Sequence, residues 1–384
     1  MSRLATRRER LAGSAGSVNN LAVIWRTLGR GTSLTAGLSL GAMATAFALS
    51  AAGADQTAVF VISAAALAGL ATLIGHGTEQ LGHRFGPNAT GILQSALGNL
   101  PELFISIFAL QAGLVVVVQT ALIGSILANT LLVLGLAFFL GGLKHGTQQF
   151  HAPSVRTLAT LLVLAVAALA IPTLATAPGA PDAGHAVDLS VIVSIVLLGI
   201  FAASIPFSIS GGKGASAEVE EAAAGTLWPV GLTVAILLVG AAGAAITSDL
   251  FVEALRPSMA SLGLSEAFVG LVIVAIAGNA VENVVGVQMA IRNKADLAVS
   301  LILNSSLQVA IALTPALVLI SLFIGGGTLT LVLSPLLLGA VALSSILAAL
   351  IVFDGESTWL EGLALLGLYV IIAAGVWYGP AIQI

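Results

Sequence analysis

The sequence predicts an all-α polytopic membrane protein of about eleven transmembrane helices, one N-terminal helix followed by two inverted five-helix repeats. Three observations carry that expectation: an extreme composition, a series of long apolar runs, and a one-sided distribution of basic residues. Hydrophobic residues make up 58% of the 384 and charged residues 8%, whereas a soluble domain carries about 25% charged residues. So few charges cannot keep a surface of this size in water, and the lipid bilayer is the solvent that fits. With no cysteine, a disulfide framework, a thiolate metal site and a cysteine nucleophile are all excluded.

A spanning helix needs roughly 20 mainly apolar residues. Apolar runs cover about 34–51, 57–76, 88–113, 116–142, 155–174, 187–208, 226–247, 266–291, 296–324, 329–352 and 358–379. The breaks carry turn chemistry, as in Ala177-Pro178-Gly179-Ala180-Pro181-Asp182 and Gly325-Gly326-Gly327. The resulting organisation is a basic cytosolic arm (1–33), an extra N-terminal helix (34–54), a first repeat (55–208), an acidic cytosolic linker (209–225) and a second repeat (226–384). The arm holds Arg3, Arg7, Arg8, Arg10, Arg26 and Arg30. It is read as an anchor for the first helix, because no apolar signal core with a small-residue cleavage site follows.

Orientation follows from the basic residues. With the amino terminus in the cytosol, twelve of thirteen fall inside: those six arginines, Arg84, Lys144, Arg156, Lys213, Arg292 and Lys294. Arg256 alone falls outside. A wrong span count would scramble this sorting.

Most acidic residues fall in loops, at helix ends or in the arm. Glu102 and Glu282 instead lie well inside the third and eighth runs. A charge at that depth costs several kcal/mol unless it is paired, protonated or beside water. The alternative role, a protonated contact between helices, suits one isolated Glu better than two matching ones. And they do match: Gly98-Asn99-Leu100-Pro101-Glu102 returns 180 residues later as Gly278-Asn279-Ala280-Val281-Glu282, and the same offset carries Ser125 onto Ser305. Five spans separate the two motifs, so the second copy runs in the opposite direction. Inverted repeats with ion sites near the midplane recur among secondary transporters.

The residues around the acids suit a hard cation, which takes six to eight oxygen ligands in the case of Ca²⁺. Ser95, Asn99, Glu102 and Ser106, at spacings of four, three and four, fall on one helical face of the third run. Asn279, Glu282 and Asn283 face them from the eighth. Gly98, Gly278 and Pro101 are poor helix-interior residues and predict local unwinding. The following helices add Ser125 and Asn129, then Asn304, Ser305, Ser306 and Gln308, as ligands, as supports for ligands, or as plain interhelical hydrogen bonds. Two carboxylates facing one another repel. One divalent cation or two protons neutralise them, and competition for the same pair would couple the two fluxes.

These motifs resemble the Ca²⁺/H⁺ antiporter (cation/proton exchanger) branch of the Ca²⁺/cation antiporter superfamily, over nearly all of the chain after residue 55. The resemblance rests on Gly98-Asn99-Leu100-Pro101-Glu102-Leu103, Gly124-Ser125-Ile126-Leu127-Ala128-Asn129, Gly278-Asn279-Ala280-Val281-Glu282, Asn293-Lys294-Ala295-Asp296-Leu297, Ser305-Ser306-Leu307-Gln308 and Asp354 to Gly362. It implies that Glu102 and Glu282 bind the ion and exchange protons, with auxiliary roles for Asn99, Asn279, Ser125, Ser305, Asn129 and Gln308. The transported ions would be Ca²⁺ and H⁺, with no cofactor. The chain departs from the family at Asn283, where His is common, and at Asn304, where Gly is usual. Both bear on cation selectivity.

Glu218, Glu220 and Glu221 form either a Ca²⁺-attracting segment or a solvated linker. Glu79 would stand at the inner mouth as an ion relay or an interfacial anchor. His76, His83, His145, His151 and His185 are scattered and read as surface residues. Trp359, Trp377 and Tyr378 read as an aromatic belt. The expected partners are lipid, Ca²⁺ and protons, with no nucleic acid and room for a homo-oligomer. The expected location is a bacterial plasma membrane. Alternative functions are exchange of Na⁺, K⁺ or Mn²⁺ for protons, Na⁺/Ca²⁺ exchange, a channel, or a membrane-embedded hydrolase. No His-Glu-x-x-His run, Gly-x-Ser-x-Gly elbow or cysteine supports the last, so an enzyme is not expected.

Overall fold

The computed structural model describes residues 2–85, 97–177, 180, 184–211 and 227–379. They fold into helices in the order α1 (Ser2–Ala51), α2 (Gln56–Phe85), α3 (Leu100–Gln111), α4 (Val115–His145), α5 (Ala152–Ala175), α6 (Ala186–Gly211), α7 (Val230–Leu262), α8 (Glu266–Gly278), α9 (Ala280–Ile291), α10 (Ala295–Ile324), α11 (Pro335–Ile351) and α12 (Trp359–Tyr378). Among these residues eight helices are long and apolar enough to cross a bilayer, and the bent pair α8–α9 makes a ninth span if counted as one. α3 and α11 are apolar but shorter. The expected polytopic, all-helical class is therefore met.

Several boundaries differ from the sequence expectation, each for an identifiable reason. α1 continues back to Ser2, broken at Gly29, whose φ of 77° leaves the helical region. α2 and α7 run well past their apolar cores: Glu79 and Gln80, and Asp249, Glu253 and Arg256, are helical rather than in loops. Their polar ends stay helical because each helix lies along the other. Phe60 stacks on Phe251 with centroids 4.9 Å apart. Further along, Leu70 lies beside Gly243, Ile74 beside Gly240 and Leu237 beside Gly77. Numbers rise on one helix as they fall on the other, so the two run antiparallel. The 180-residue offset of the two motifs carries positions 56–82 of α2 onto 236–262 of α7.

The offset recurs element by element. α3 begins at Leu100 and ends at Gln111, α9 begins at Ala280 and ends at Ile291. Each follows an Asn cap of nearly equal geometry, Asn99 at φ −91° and ψ 11°, Asn279 at φ −96° and ψ 22°. α4 and α10 both carry a π-helical turn, over Ala128–Val133 and Val309–Leu313. A third lies over Val269–Val274 in α8.

Lipid tails are as apolar as leucine, so helices here associate through close packing rather than through the hydrophobic effect. α4 and α8 touch backbone to backbone at Gly124, where a Cβ would collide with the main chain of Leu271.

The run 329–352 does not begin as a helix. Residues 325–334 form a strap, and α11 starts only at Pro335, capped by Ser334, whose side chain accepts from the Leu337 amide. The sequence reason is Thr328-Leu329-Thr330-Leu331-Val332-Leu333, an alternation of period two rather than 3.6. Non-helical backbone at membrane depth must be satisfied by protein or water. The amides of Leu329, Leu331 and Leu333 donate to Ser321 Oγ at 3.0 Å, Ser190 Oγ at 2.9 Å and Thr173 Oγ1 at 2.9 Å. The carbonyls of Thr330 and Val332 accept from Gln119 Nε2 at 3.0 and 2.7 Å.

At the opposite end of α4 a short antiparallel pair, Gln148–Gln149 with Glu356–Ser357, ties the loop after α4 to the loop before α12. α12 then starts with a capping box. The Glu361 amide donates to Thr358 Oγ1, and Glu361 Oε2 accepts from the Thr358 amide at 2.8 Å. Thr358→Ala should cost about 1 kcal/mol, read as a lower melting temperature of the purified protein, with uptake activity retained.

Candidate functional site

The site forms where two helices break. α8 ends at Gly278 and α9 restarts at Ala280, bent by 63°. On the other half the chain turns at Gly98 and Asn99 before α3 begins at Leu100. Pro101 sits in the first turn of α3, where its missing N–H costs nothing. The unwinding expected from Gly98, Gly278 and Pro101 is present. It also corrects the single helical face drawn through Asn99 and Glu102, because Asn99 is a cap outside α3.

Each break places its Glu in the first turn of the next helix, Glu102 in α3 and Glu282 in α9. Free backbone N–H groups and the positive end of the helix dipole favour a carboxylate there. Glu102 is 5% exposed. Glu282 is partly exposed. Gly278, one turn before Glu282, makes room for the Glu102 side chain. A Cβ on it would collide with Glu102 Cγ.

Hydrogen bonds join residues of the two motifs. Glu102 Oε1 accepts from Ser125 Oγ at 2.5 Å and from Asn279 Nδ2 at 2.7 Å. Asn279 Nδ2 also donates to Ser125 Oγ at 2.9 Å and to the Ala275 carbonyl at 2.9 Å. Asn129 Nδ2 donates to Asn279 Oδ1 at 3.3 Å and to Ser305 Oγ at 3.2 Å. Asn129 stands in the π-helical turn of α4, and such bulges commonly occur at functional sites. Asn99 Nδ2 reaches Gln308 Oε1 at 3.5 Å. Two buried acceptors, Glu102 Oε2 and Asn129 Oδ1, have no partner among the described residues. Unpartnered buried acceptors favour a bound proton or cation.

The other expected residues separate. Ser106 is buried on α3. Asn283 Nδ2 reaches back across the break to the Ile276 carbonyl at 3.3 Å, leaving a buried Oδ1 without a partner among the described residues. Ser306 Oγ donates to Ile302 within its own helix at 3.0 Å, and Asn304 is partly exposed. Glu79 is exposed near the end of α2. His76, expected at the surface, lies within α2 with Nδ1 buried, because that helix continues past it. Ser95, Glu218, Glu220 and Glu221 lie outside the described residues, as does any structural statement on the His83 side chain. Among the described residues no group of three or more His, Cys, Asp or Glu side chains could hold a metal.

Comparison with known proteins fits this geometry. The sodium/calcium exchanger protein family matches residues 56–210 and 232–378, one stretch for each half. The chain belongs to the sodium/calcium exchanger protein family. Within it, the chain is 35% identical over 348 residues to a Ca²⁺/H⁺ antiporter of Synechocystis, covering 86% of this chain and 93% of that protein. It is 34% identical over 322 residues to the Ca²⁺/H⁺ antiporter ChaA of Bacillus subtilis, covering 83% and 91%. The solved structure of native YfkE superposes with a TM-score of 0.77 at 31% identity, covering 89% of this chain and 99% of that one. The H⁺/Ca²⁺ exchanger CAX shares the fold, with a TM-score of 0.71 at 17% identity and coverage of 89% and 90%. The recognition drawn from the motifs therefore holds: a member of this exchanger family is a transporter and not an enzyme.

Sequence reasoning missed the π-helical turn that aims Asn129. It also missed the function of Gly278 as the space into which Glu102 fits. The first has no signature in residue type. The second was legible as a glycine inside the second motif, but was read only as a helix breaker.

Proposed function

We propose that the chain exchanges cytosolic Ca²⁺ for external protons by alternating access, with Glu102 and Glu282 holding either the cation or protons. The contact between Glu102 Oε1 and Asn279 Nδ2 at 2.7 Å carries the reading, because it joins the acid of one motif to the amide of the other. Support for the ions comes from the relatives, which are named Ca²⁺/H⁺ antiporters. In this reading Asn99, Asn279, Ser125, Ser305, Asn129 and Gln308 supply amide and hydroxyl oxygens or position them. Asn283 and Asn304 tune selectivity. The layout is eleven spans, an N-terminal helix and inverted repeats over 55–208 and 226–384, with a cytosolic amino terminus in a bacterial plasma membrane.

The coupling is electrostatic. A doubly ionised, unoccupied pair is penalised in a weakly polarisable setting. Crossing is therefore favoured only for the cation-loaded and the proton-loaded forms, and the two fluxes are tied.

A proton gradient imposed on inverted vesicles should drive ⁴⁵Ca²⁺ uptake, with Na⁺, K⁺ and Mn²⁺ as competitors. Uptake driven by a Na⁺ gradient instead would favour Na⁺/Ca²⁺ exchange. Protons and Ca²⁺ compete for the same oxygens, so acidifying the Ca²⁺-binding side should weaken apparent Ca²⁺ affinity. With the pH difference across the membrane held constant, raising Ca²⁺ should restore the same maximal rate. A fall in maximal rate without a change in affinity would contradict a shared pair.

A further inference from the structure

A second polar feature lies apart from the two acids, under the strap. Gln119 and Thr314 line a small cavity with Leu169 and the strap residues Leu329, Thr330 and Leu331. Its volume of about 10 Å³ is roughly what one water needs. Gln119 is 3% and Thr314 4% exposed.

The orientation of the Gln119 amide is decided by its partners. Nε2 donates to two carbonyls, Thr330 and Val332. A flipped amide would set oxygen against oxygen, so the acceptor Oε1 is the remaining atom. That Oε1 and Thr314 Oγ1 are both buried, and neither has a partner among the described residues. A threonine inside a helix ordinarily donates to the carbonyl four residues back, as Thr130 does to Ile126 at 2.7 Å. Thr314 directly follows the π-helical turn Val309–Leu313, which offsets that carbonyl.

We propose that a single water bridges Gln119 Oε1 and Thr314 Oγ1, linking α10 to the α4 side chain that holds the strap. Water fits better than a cation. It can donate to the amide oxygen and exchange a hydrogen bond with the hydroxyl, and two to four polar partners suffice for it. A hard cation would want six or more oxygens, and this wall is otherwise largely leucine and isoleucine.

The test uses the full chain and Thr314→Val, which keeps the shape and removes the hydroxyl. A high-resolution crystal structure should show one density peak within hydrogen-bond distance of both atoms, without anomalous signal after a Mn²⁺ soak. In Thr314→Val the peak should disappear or weaken, and the melting temperature should fall by a few degrees. Deleting a hydroxyl that bonds nothing would leave stability unchanged or raise it, so an unchanged or higher melting temperature would overturn the proposal. So would a dry cavity, or a Mn²⁺ peak there. None of these outcomes bears on whether Glu102 and Glu282 exchange ions.

Discussion

Glu102→Gln and Glu282→Gln should each reduce proton-driven Ca²⁺ uptake to the vesicle background. Glutamine keeps the size of the side chain, and at position 102 its oxygen can still accept from Ser125 and Asn279, which now hold Glu102 Oε1. The fold should therefore survive, as checked by a monodisperse elution profile. What disappears is one unit of negative charge and one exchangeable proton. With Ca²⁺ bound, each acid is one partner of a buried ion pair, and removing such a partner costs about 3 kcal/mol or more, on the order of 100-fold in affinity. The Glu282 variant should be equally inactive although that side chain is the more exposed of the two, because a divalent ion needs both charges. Substantial uptake by either purified, folded variant would remove that acid from the mechanism.

The second large effect is expected at the glycines of the site, and it should split into two phenotypes. At Gly124 the obstacle is the main chain of Leu271, which cannot rotate away as a side chain can. Gly124→Val should push α4 and α8 apart. Overpacking typically costs about 1–3 kcal/mol, and contact with backbone places this variant at the upper end. A severe loss of folded protein is the expected result, measured as the yield of the monodisperse species in detergent. At Gly278 the obstacle is the Glu102 side chain, which can swing aside. Gly278→Ala should fold well but lose most uptake, because Glu102 would leave Asn279 and Ser125. Normal uptake by Gly278→Ala would mean that the close fit of Glu102 against α8 is unrelated to transport.

Much of this architecture was legible because the repeat is written in residue types that membranes rarely tolerate. Glu102 and Glu282 stood out as mid-span charges, and the surrounding Gly-Asn motifs gave an offset that the caps at Asn99 and Asn279 and the π-helical turns of α4 and α10 follow. The break at Gly278 was foreseen from poor helix formers. Less legible were features decided by tertiary contact. Residues 77–85 and 248–262 looked like loops because they are polar, yet they remain helical within the antiparallel α2–α7 pair. The break at Gly325-Gly326-Gly327 was read, but the rest of the strap, 329–334, was absorbed into an apolar run, since hydropathy does not separate a period of two from one of 3.6 in six residues. Its anchors Gln119, Thr173, Ser190 and Ser321 are scattered through the chain and meet only in the fold. A π-helical turn adds one residue to a helix without changing its composition, so the aim of Asn129 was not readable in advance.

The claim beneath the functional reading is that Glu102 and Glu282, one from each half, share a single ion. Crystals of the full chain soaked in Ca²⁺ test it most directly. The account predicts one peak with oxygens of both carboxylates at about 2.3–2.6 Å, the remaining ligands coming from amides, hydroxyls, carbonyls or water. A Ca²⁺ ion bound to one acid and out of reach of the other, or two ions each with its own carboxylate, would contradict it.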